Sequence, residues 1–406
     1  MKRHTYLIFV VIGFFELGLG LTPLANDWPN WRGPNWNGIS SETNWFVPWP
    51  KDGPKILWKV NVGIGFSSPS IQAGRVFSMG NSNNTDIVYC IDDKTGRILW
   101  TYSYSSPLSP DLYEGGPSAT PTIDGDRLYT LSKDGKLFCL KVANGDVVWG
   151  VDLIKKYHIA RPRWGFAGSP VIFQNMLLLN AGGAGMALKK DSGELIWLSN
   201  TNECGYATPV VVNNNKRPYM VVFSHRELIA VEIISWKILW RIPWKTAYDM
   251  NIIDPVIWDN KWFISSWDRA AMLIQVDRDN VNYVWRNDEF RTHTCNVILI
   301  NDLIFGFHGD AKNGKEFKCL DIKTGKLQWV AKDIPNGSVS ASADGKLLIG
   351  TGDGELIIAE ADPDRFKVLS RTKLSDSRFW TPPVLANGKI YCRDALGNIF
   401  CIVPLN

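Results

Sequence analysis

Arginines, histidines and aromatic side chains gather in a few short segments of this 406-residue chain. RPRWGFAGSP (161–170) carries Arg161, Arg163 and Trp164, and ECGYATP (203–209) carries Tyr206. EFRTHTC (289–295) carries Arg291 and His293, and SRFWTPP (377–383) carries Arg378 and Trp380. Other loop segments add His225 with Arg226, Trp267 with Asp268 and Arg269, and His308 with Asp310. Guanidinium forks grip carboxylates and phosphates, and aromatic faces accept planar or cationic groups. Brought together, these residues form a funnel suited to an anionic or planar ligand, or to a peptide. The competing expectation is a solvated rim of loop tips that hold one another by salt bridges.

The same inventory does not compose a catalytic set. His-Glu-x-x-His, Gly-x-Ser-x-Gly and phosphate-loop patterns are absent, and GGAGMA (182–187) lies in a strand and hairpin context that leads into no helix. The five histidines are scattered, and His293 with His308 is the pair nearest in order, with loop hydrogen bonding as its expected role. No catalytic residue and no metal site are expected.

What positions these segments is a repeat. Trp58, Trp100, Trp149, Trp197, Trp240, Trp285 and Trp329 recur with a mean period of about 45 residues, as solenoids and propellers do. Each closes a similar phrase, clearest in VYCIDDKTGRILW (88–100), LFCLKVANGDVVW (137–149), MALKKDSGELIW (186–197) and FKCLDIKTGKLQW (317–329). An alternating apolar strand, a polar turn with glycine (Gly96, Gly145, Gly193, Gly325) and a second short strand read as a β-hairpin. The glycine suits a backbone position with positive φ. Two more strand-like runs precede each hairpin, as in SATPTIDGDRLYTLS (118–132), so each period holds four antiparallel strands.

Four-stranded units repeated radially make an all-β propeller. The outer-strand segments number eight when a degenerate copy, FKVLSR (366–371), is included. The C-terminal run KIYCRDALGNIFCIV (389–403) lacks an outer strand, and PKILWKV (54–60) is expected to supply it, closing the ring between the two ends. The tryptophans are expected to dock outer strands onto neighbouring blades. The outer-to-inner loops are long and varied, and they carry the candidate segments. The turns at the opposite face (QAGR, IDGD, LANG, DKTG) are short. Long loops on a rigid scaffold are where binding sites are built. Many of those loops end in a small residue, then Ser or Thr, then Pro, which suits inner strands crowding a narrow channel.

The repeated phrase, with its Asp-x-x-Thr-Gly turn and closing Trp, resembles the pyrroloquinoline quinone (PQQ)-like propeller family over residues 54–406. DWPNWRGPNWNG (27–38) looks like the opening of uncharacterised exported members. The family also holds quinone-dependent alcohol dehydrogenases and the propeller subunit of the outer-membrane β-barrel assembly machinery. For a dehydrogenase the resemblance implies PQQ on a tryptophan floor, Ca²⁺ held by Glu, Asn and Asp, an aspartate base and a disulfide of adjacent cysteines. No two cysteines here are adjacent, and Asp254, Asn251, Asp268 and Glu203 are the oxygen ligands from which a Ca²⁺ site could be assembled. The assembly subunit is lipid-anchored, whereas no cysteine precedes Cys90 here.

Lys2, Arg3 and His4 followed by an apolar stretch from Tyr6 to Phe15 have the layout of a secretory signal over residues 1–25, with Gly20 and Ala25 as alternative cleavage points and an uncleaved anchor as the alternative. Residues 26–53, with Trp28, Trp31, Trp36, Trp45 and Trp49, are expected to pack their rings on the propeller formed by 54–406. The net charge of +4 comes with no basic stripe interleaved with aromatics, so nucleic acid is not an expected partner. Of the seven cysteines, Cys90, Cys139, Cys319 and Cys401 share one strand position and read as small core residues, and a Cys392–Cys401 disulfide is left open. The resulting expectation is an exported, monomeric, non-catalytic propeller that binds a protein or small ligand through its long-loop face and needs no cofactor. A PQQ- and Ca²⁺-dependent oxidoreductase and a scaffold in a membrane-associated assembly are the alternatives.

Overall fold

The computed structural model describes residues 26–111, 113–213, 217–277 and 280–404; the leader expected over residues 1–25 lies outside them. Eight antiparallel four-stranded blades follow one another around a ring. Blade 1 runs Ser70–Gln72, Arg75–Ser82, Thr85–Asp92 and Ile98–Ser105 from channel to periphery. The inner and outer strands of the next six are Thr122–Asp124 and Val147–Asp152, Val171–Phe173 and Leu195–Leu198, Val210–Val212 and Ile238–Pro243, Val256–Trp258 and Asn280–Asn287, Ile298–Ile300 and Leu327–Lys332, and Ser338–Ser342 and Lys367–Lys373. Blade 8 joins Val384–Ala386, Lys389–Arg393 and Asn398–Val403 to Lys55–Asn61, so the expected closure between the two ends of the chain is formed. Among the described residues helix is confined to Leu153–Tyr157 and a 3-10 turn at Ala247–Asp249.

The tryptophan phrase has a local mechanism. In every blade the ladder between the third and outer strands shifts register at the tryptophan position, as between Cys90 and Ile91 or between Ile56 and Trp58. A bulge of this kind bends the strand and re-aims a side chain. The indole turns toward the next blade's hairpin. Trp58, Trp100, Trp149, Trp285 and Trp329 donate their Nε1–H groups to the carbonyls of Asp93, Val142, Lys190, Ile322 and Asp362, all at 2.7 to 3.0 Å. The turn glycine lies under the ring: Gly96, at φ +70°, leaves only 2.7 Å between its would-be Cβ and Trp58. Opposite six of the seven tryptophans stands a small residue, Cys90, Cys139, Ala187, Ala230, Cys319 or Cys401, which explains why cysteine recurs there; Trp285 faces Leu273.

Three seams depart from this pattern. In blade 4 the turn glycine is replaced by Trp236 at φ +58°, and Trp197 stacks on it with ring centroids 5.0 Å apart. Trp240 lies edge-on to Trp262 and has no carbonyl partner among the described residues. The outer strand of blade 7 has no tryptophan, and there the N-terminal segment intervenes. Trp45, 3% exposed, fills the core between blades 7 and 8 with Phe46 and Trp49 beside it.

That segment also crosses the short-turn side of the channel. Trp28 pairs with Ile71 of blade 1, Pro29 accepts the Ile123 N–H of blade 2, and Ile39–Ser40 adds a parallel strand to blade 7. Arg32, buried, donates to the Val297 carbonyl beside blade 6. In blade 8, Cys392 faces Phe400 and Cys401 faces Tyr391. A one-residue offset puts the two thiols on opposite faces of the sheet, so the disulfide left open by the sequence does not form, and all seven cysteines are free and buried.

Candidate functional site

The base of the site is an arc of hydrogen bonds around the channel, made by the polar residue that precedes the inner strand in blades 1 to 6. The Ser68 N–H donates to Thr120 Oγ1, Thr120 to Ser169 Oγ, Ser169 to Thr208 Oγ1, Thr208 to Asp254 Oδ1 and Asp254 to Asn296 Oδ1, at 2.6 to 3.1 Å. The Ser/Thr-Pro pattern seen in sequence is therefore an inter-blade latch. Asp254 and Asn296 extend it through two blades where no hydroxyl stands, and sequence reasoning missed them in that role. Asp254 Oδ2 also accepts the Trp31 Nε1–H at 2.7 Å, which seats the indole from the N-terminal segment in the channel. Burial pushes the Asp254 carboxyl above its ordinary range, against the pull of Arg32 and Trp31.

Above this latch the long loops enclose a cup of about 390 Å³. Its wall carries Phe66, Tyr113, Trp164, Tyr206 and Trp380, with Trp31, Met250 and Ile252 among the other lining groups. The rings support one another: Phe66 lies 5.5 Å from Trp380 and 5.7 Å from Tyr113, and Trp164 lies 5.9 Å from Tyr206. Tyr113 donates its hydroxyl to the Trp164 carbonyl at 3.1 Å, and burial raises that phenol to about 12. On the opposite side the lining is polar, with His293, Asp310, Lys312 and Asn313.

Of the fifteen residues singled out from sequence, Trp164, Tyr206, His293, Asp310 and Trp380 line the cup. The arginines expected beside them do not. Arg161 pairs with Asp134 at 3.0 Å, Arg163 with Asp111 at 2.9 Å, and Arg378 with Glu114. Two of these guanidiniums also lie on an indole, Arg378 3.7 Å from the Trp380 centroid and Arg163 4.7 Å from that of Trp164. They stand outside the lining, buttressing the aromatic wall. Arg291 lies 3.8 Å from Asp288 and donates its backbone N–H to His308 Nδ1, and Trp267 stacks on His293 at 5.6 Å. Asp268 accepts the Ala247 N–H at 2.6 Å.

The Ca²⁺ set that could be assembled from sequence is not brought together. Asn251 donates its amide to the carbonyls of Ser224, His225 and Trp244, while Asp254 belongs to the latch and Asp268 accepts the Ala247 N–H of a neighbouring loop. Among the described residues no three His, Cys, Asp or Glu side chains are grouped to hold a metal.

Eight blades around an aromatic cup, six of them latched beneath it, and outer strands docked by tryptophans define a PQQ-like β-propeller. A sequence model described as outer membrane protein assembly factor BamB matches residues 84–331, more than half of the chain, and the chain belongs to that family. Outer membrane protein assembly factor BamB of Yersinia pestis is 20% identical over 380 residues, covering 86% of this chain and 88% of that protein. The crystal structure of BamB from Moraxella catarrhalis superposes with a TM-score of 0.61 at 13% identity, covering 86% of this chain and 97% of that one. Quinohemoprotein alcohol dehydrogenase from Comamonas testosteroni superposes with a TM-score of 0.67 at 14% identity, covering 93% and 80%. At these identities the solved structures speak for the fold alone.

Proposed function

We propose that this chain is an exported, non-catalytic scaffold that holds a protein segment in the cup on its long-loop face and works in outer-membrane protein assembly, the role named for its relatives. The cup carries this reading: a rigid latch beneath, an aromatic wall, and a rim whose arginines are already spent on carboxylates. Aromatic surface of this kind binds peptide well, because large rigid rings supply contact area at little entropic cost.

A quinone oxidoreductase suits the lining poorly. PQQ is a tricarboxylate, yet the acidic groups lining the cup are Asp111, Asp254 and Asp310, and no arginine lines it among the described residues. The Ca²⁺ that would bind beside it lacks a grouped ligand set there.

Site-specific photo-cross-linking in the native host tests the proposal. A photoreactive residue at Met250, in the cup, is expected to give a discrete adduct with an envelope assembly component, and one at Asp126, on the short-turn face, none. Adducts from Asp126 alone would overturn the reading. So would dye-coupled alcohol oxidation by the purified protein supplied with PQQ and Ca²⁺.

A further inference from the structure

The cup's chemistry is more particular than apolar. Its wall already shows twice how this molecule holds a cation: Arg378 lies on Trp380 and pairs with Glu114, and Arg163 lies on Trp164 and pairs with Asp111. Ring, carboxylate and guanidinium recur as one unit, and both copies lie in the wall. Within the cup the first two parts are present again, across the cavity from each other. Phe66, Tyr113, Tyr206 and Trp31 present aromatic surface, and Asp310 stands among the polar lining. Among the described residues no lysine or arginine nitrogen lies within 4.0 Å of the Asp310 carboxylate.

His293 does not fill that vacancy. Its Nδ1 lies 3.7 Å from Asp310 Oδ2 but accepts the Ala311 N–H at 3.0 Å, which a protonated Nδ1 could not do. Burial also lowers the imidazole's basicity, against the pull of Asp310 and Asp268. Lys312, the cation that does line the cup, reaches no carboxylate within 4.0 Å. Asp310 is instead held by short-range donors, the backbone N–H groups of Lys312 and Asn313 at 2.9 and 3.1 Å and the Asn313 side-chain amide at 3.1 Å, all neutral. These fix its position and leave its charge uncompensated.

We infer that the cup receives a cationic side chain, the arginine or lysine of an extended partner segment, seated on its aromatic surface with its charge toward Asp310. This rests on the reading of the long-loop face as a protein-binding site. A desolvated cation over aromatic rings and beside a carboxylate gains from both, and the neutral analogue forfeits the second. The cup, at about 390 Å³, has room for one long side chain and its flanking backbone.

The test titrates the full-length protein by calorimetry with three blocked pentapeptides, Gly-Gly-X-Gly-Gly, where X is arginine, its neutral isostere citrulline, or leucine. The arginine peptide is expected to bind roughly tenfold or more tightly than the citrulline peptide. Asp310→Asn keeps an Oδ1 acceptor for the two backbone N–H groups and the Asn313 amide, so the fold is expected to stand, checked by an unchanged thermal transition. In that variant the arginine advantage should fall to about twofold, with citrulline binding unmoved. Equal binding of all three peptides, or an arginine advantage that survives Asp310→Asn, would overturn the inference while leaving a peptide-binding cup. Failure of all three to bind also overturns it, and the cross-linking pattern from Met250 then decides the broader reading by itself.

Discussion

At the short-turn rim five tryptophans do the same thing in the same way; at the long-loop rim each arginine finds its own partner. Trp58, Trp100, Trp149, Trp285 and Trp329 all cover the next blade's hairpin turn and donate to a carbonyl there. Arg161, Arg163 and Arg378 reach carboxylates on two loops, 27, 52 and 264 positions away. Repetition at one rim builds the ring, and its absence at the other leaves room for a site. One rim is held by burial and directed hydrogen bonds, the other by ion pairs that are exposed or only partly buried and contribute less.

If that contrast is right, the largest effects belong to the turns under the tryptophans. Gly96→Ala forces a side chain into a left-handed turn and against Trp58, so a loss of about 2–4 kcal/mol in denaturant unfolding is expected. Gly125→Ala, at φ +61° with nothing within 4 Å of the added carbon, isolates the backbone cost and should lose only about 1 kcal/mol. Equal losses would mean that the indoles are not seated on the turns. Next, Trp285→Phe removes a 2.7 Å hydrogen bond, while Trp240→Phe removes none among the described residues. The first variant should unfold about 1 kcal/mol more easily than the second.

Acid should act on the long-loop rim. His293 has a folded pKa below its ordinary value, chiefly through burial, so the folded state disfavours its protonation. Its contribution is complete above about pH 6.5 and is lost as pH falls from there through the folded value. In His293→Asn, which keeps an acceptor for Ala311, that part of the stability profile should flatten; an unchanged slope would assign it elsewhere. The smallest effect is expected for Arg163 and Asp111. A double-mutant cycle with Arg163→Gln and Asp111→Asn should give a coupling below about 1 kcal/mol that shrinks further in salt. A larger, salt-resistant coupling would make this rim as structural as the other.

The same contrast explains what the sequence disclosed. The tryptophan period gave eight blades and the closing strand because each copy meets the same neighbour at the same offset. It could not disclose that Trp45, outside the repeat, packs the seam where blade 7 lacks its tryptophan, because nothing in that local pattern names the blade. Nor could loop composition say that Arg378 would turn to Glu114 and leave Trp380 to face the cup, since that partner lies on a loop at the far end of the chain. The latch was half legible. Ser and Thr before proline marked it, while Asp254 and Asn296 serve the same geometry in another chemical dress; Asp254 looked instead like a metal ligand, and Asn296 fell just outside the segment 289–295.

Blade 8 joins strands whose facing residues, Asn61 and Asn398, are 337 positions apart. At ribosomal rates of 5–20 residues per second, the earlier strand waits roughly 15–70 s for its partner to be made. Through that interval Lys55–Asn61 is an unpaired edge carrying Ile56, Leu57 and Trp58, a sticky template for any other growing strand. The last event in making this ring is therefore also its most hazardous, and the yield of closed molecules depends on how quickly that wait ends or on what shields the edge meanwhile.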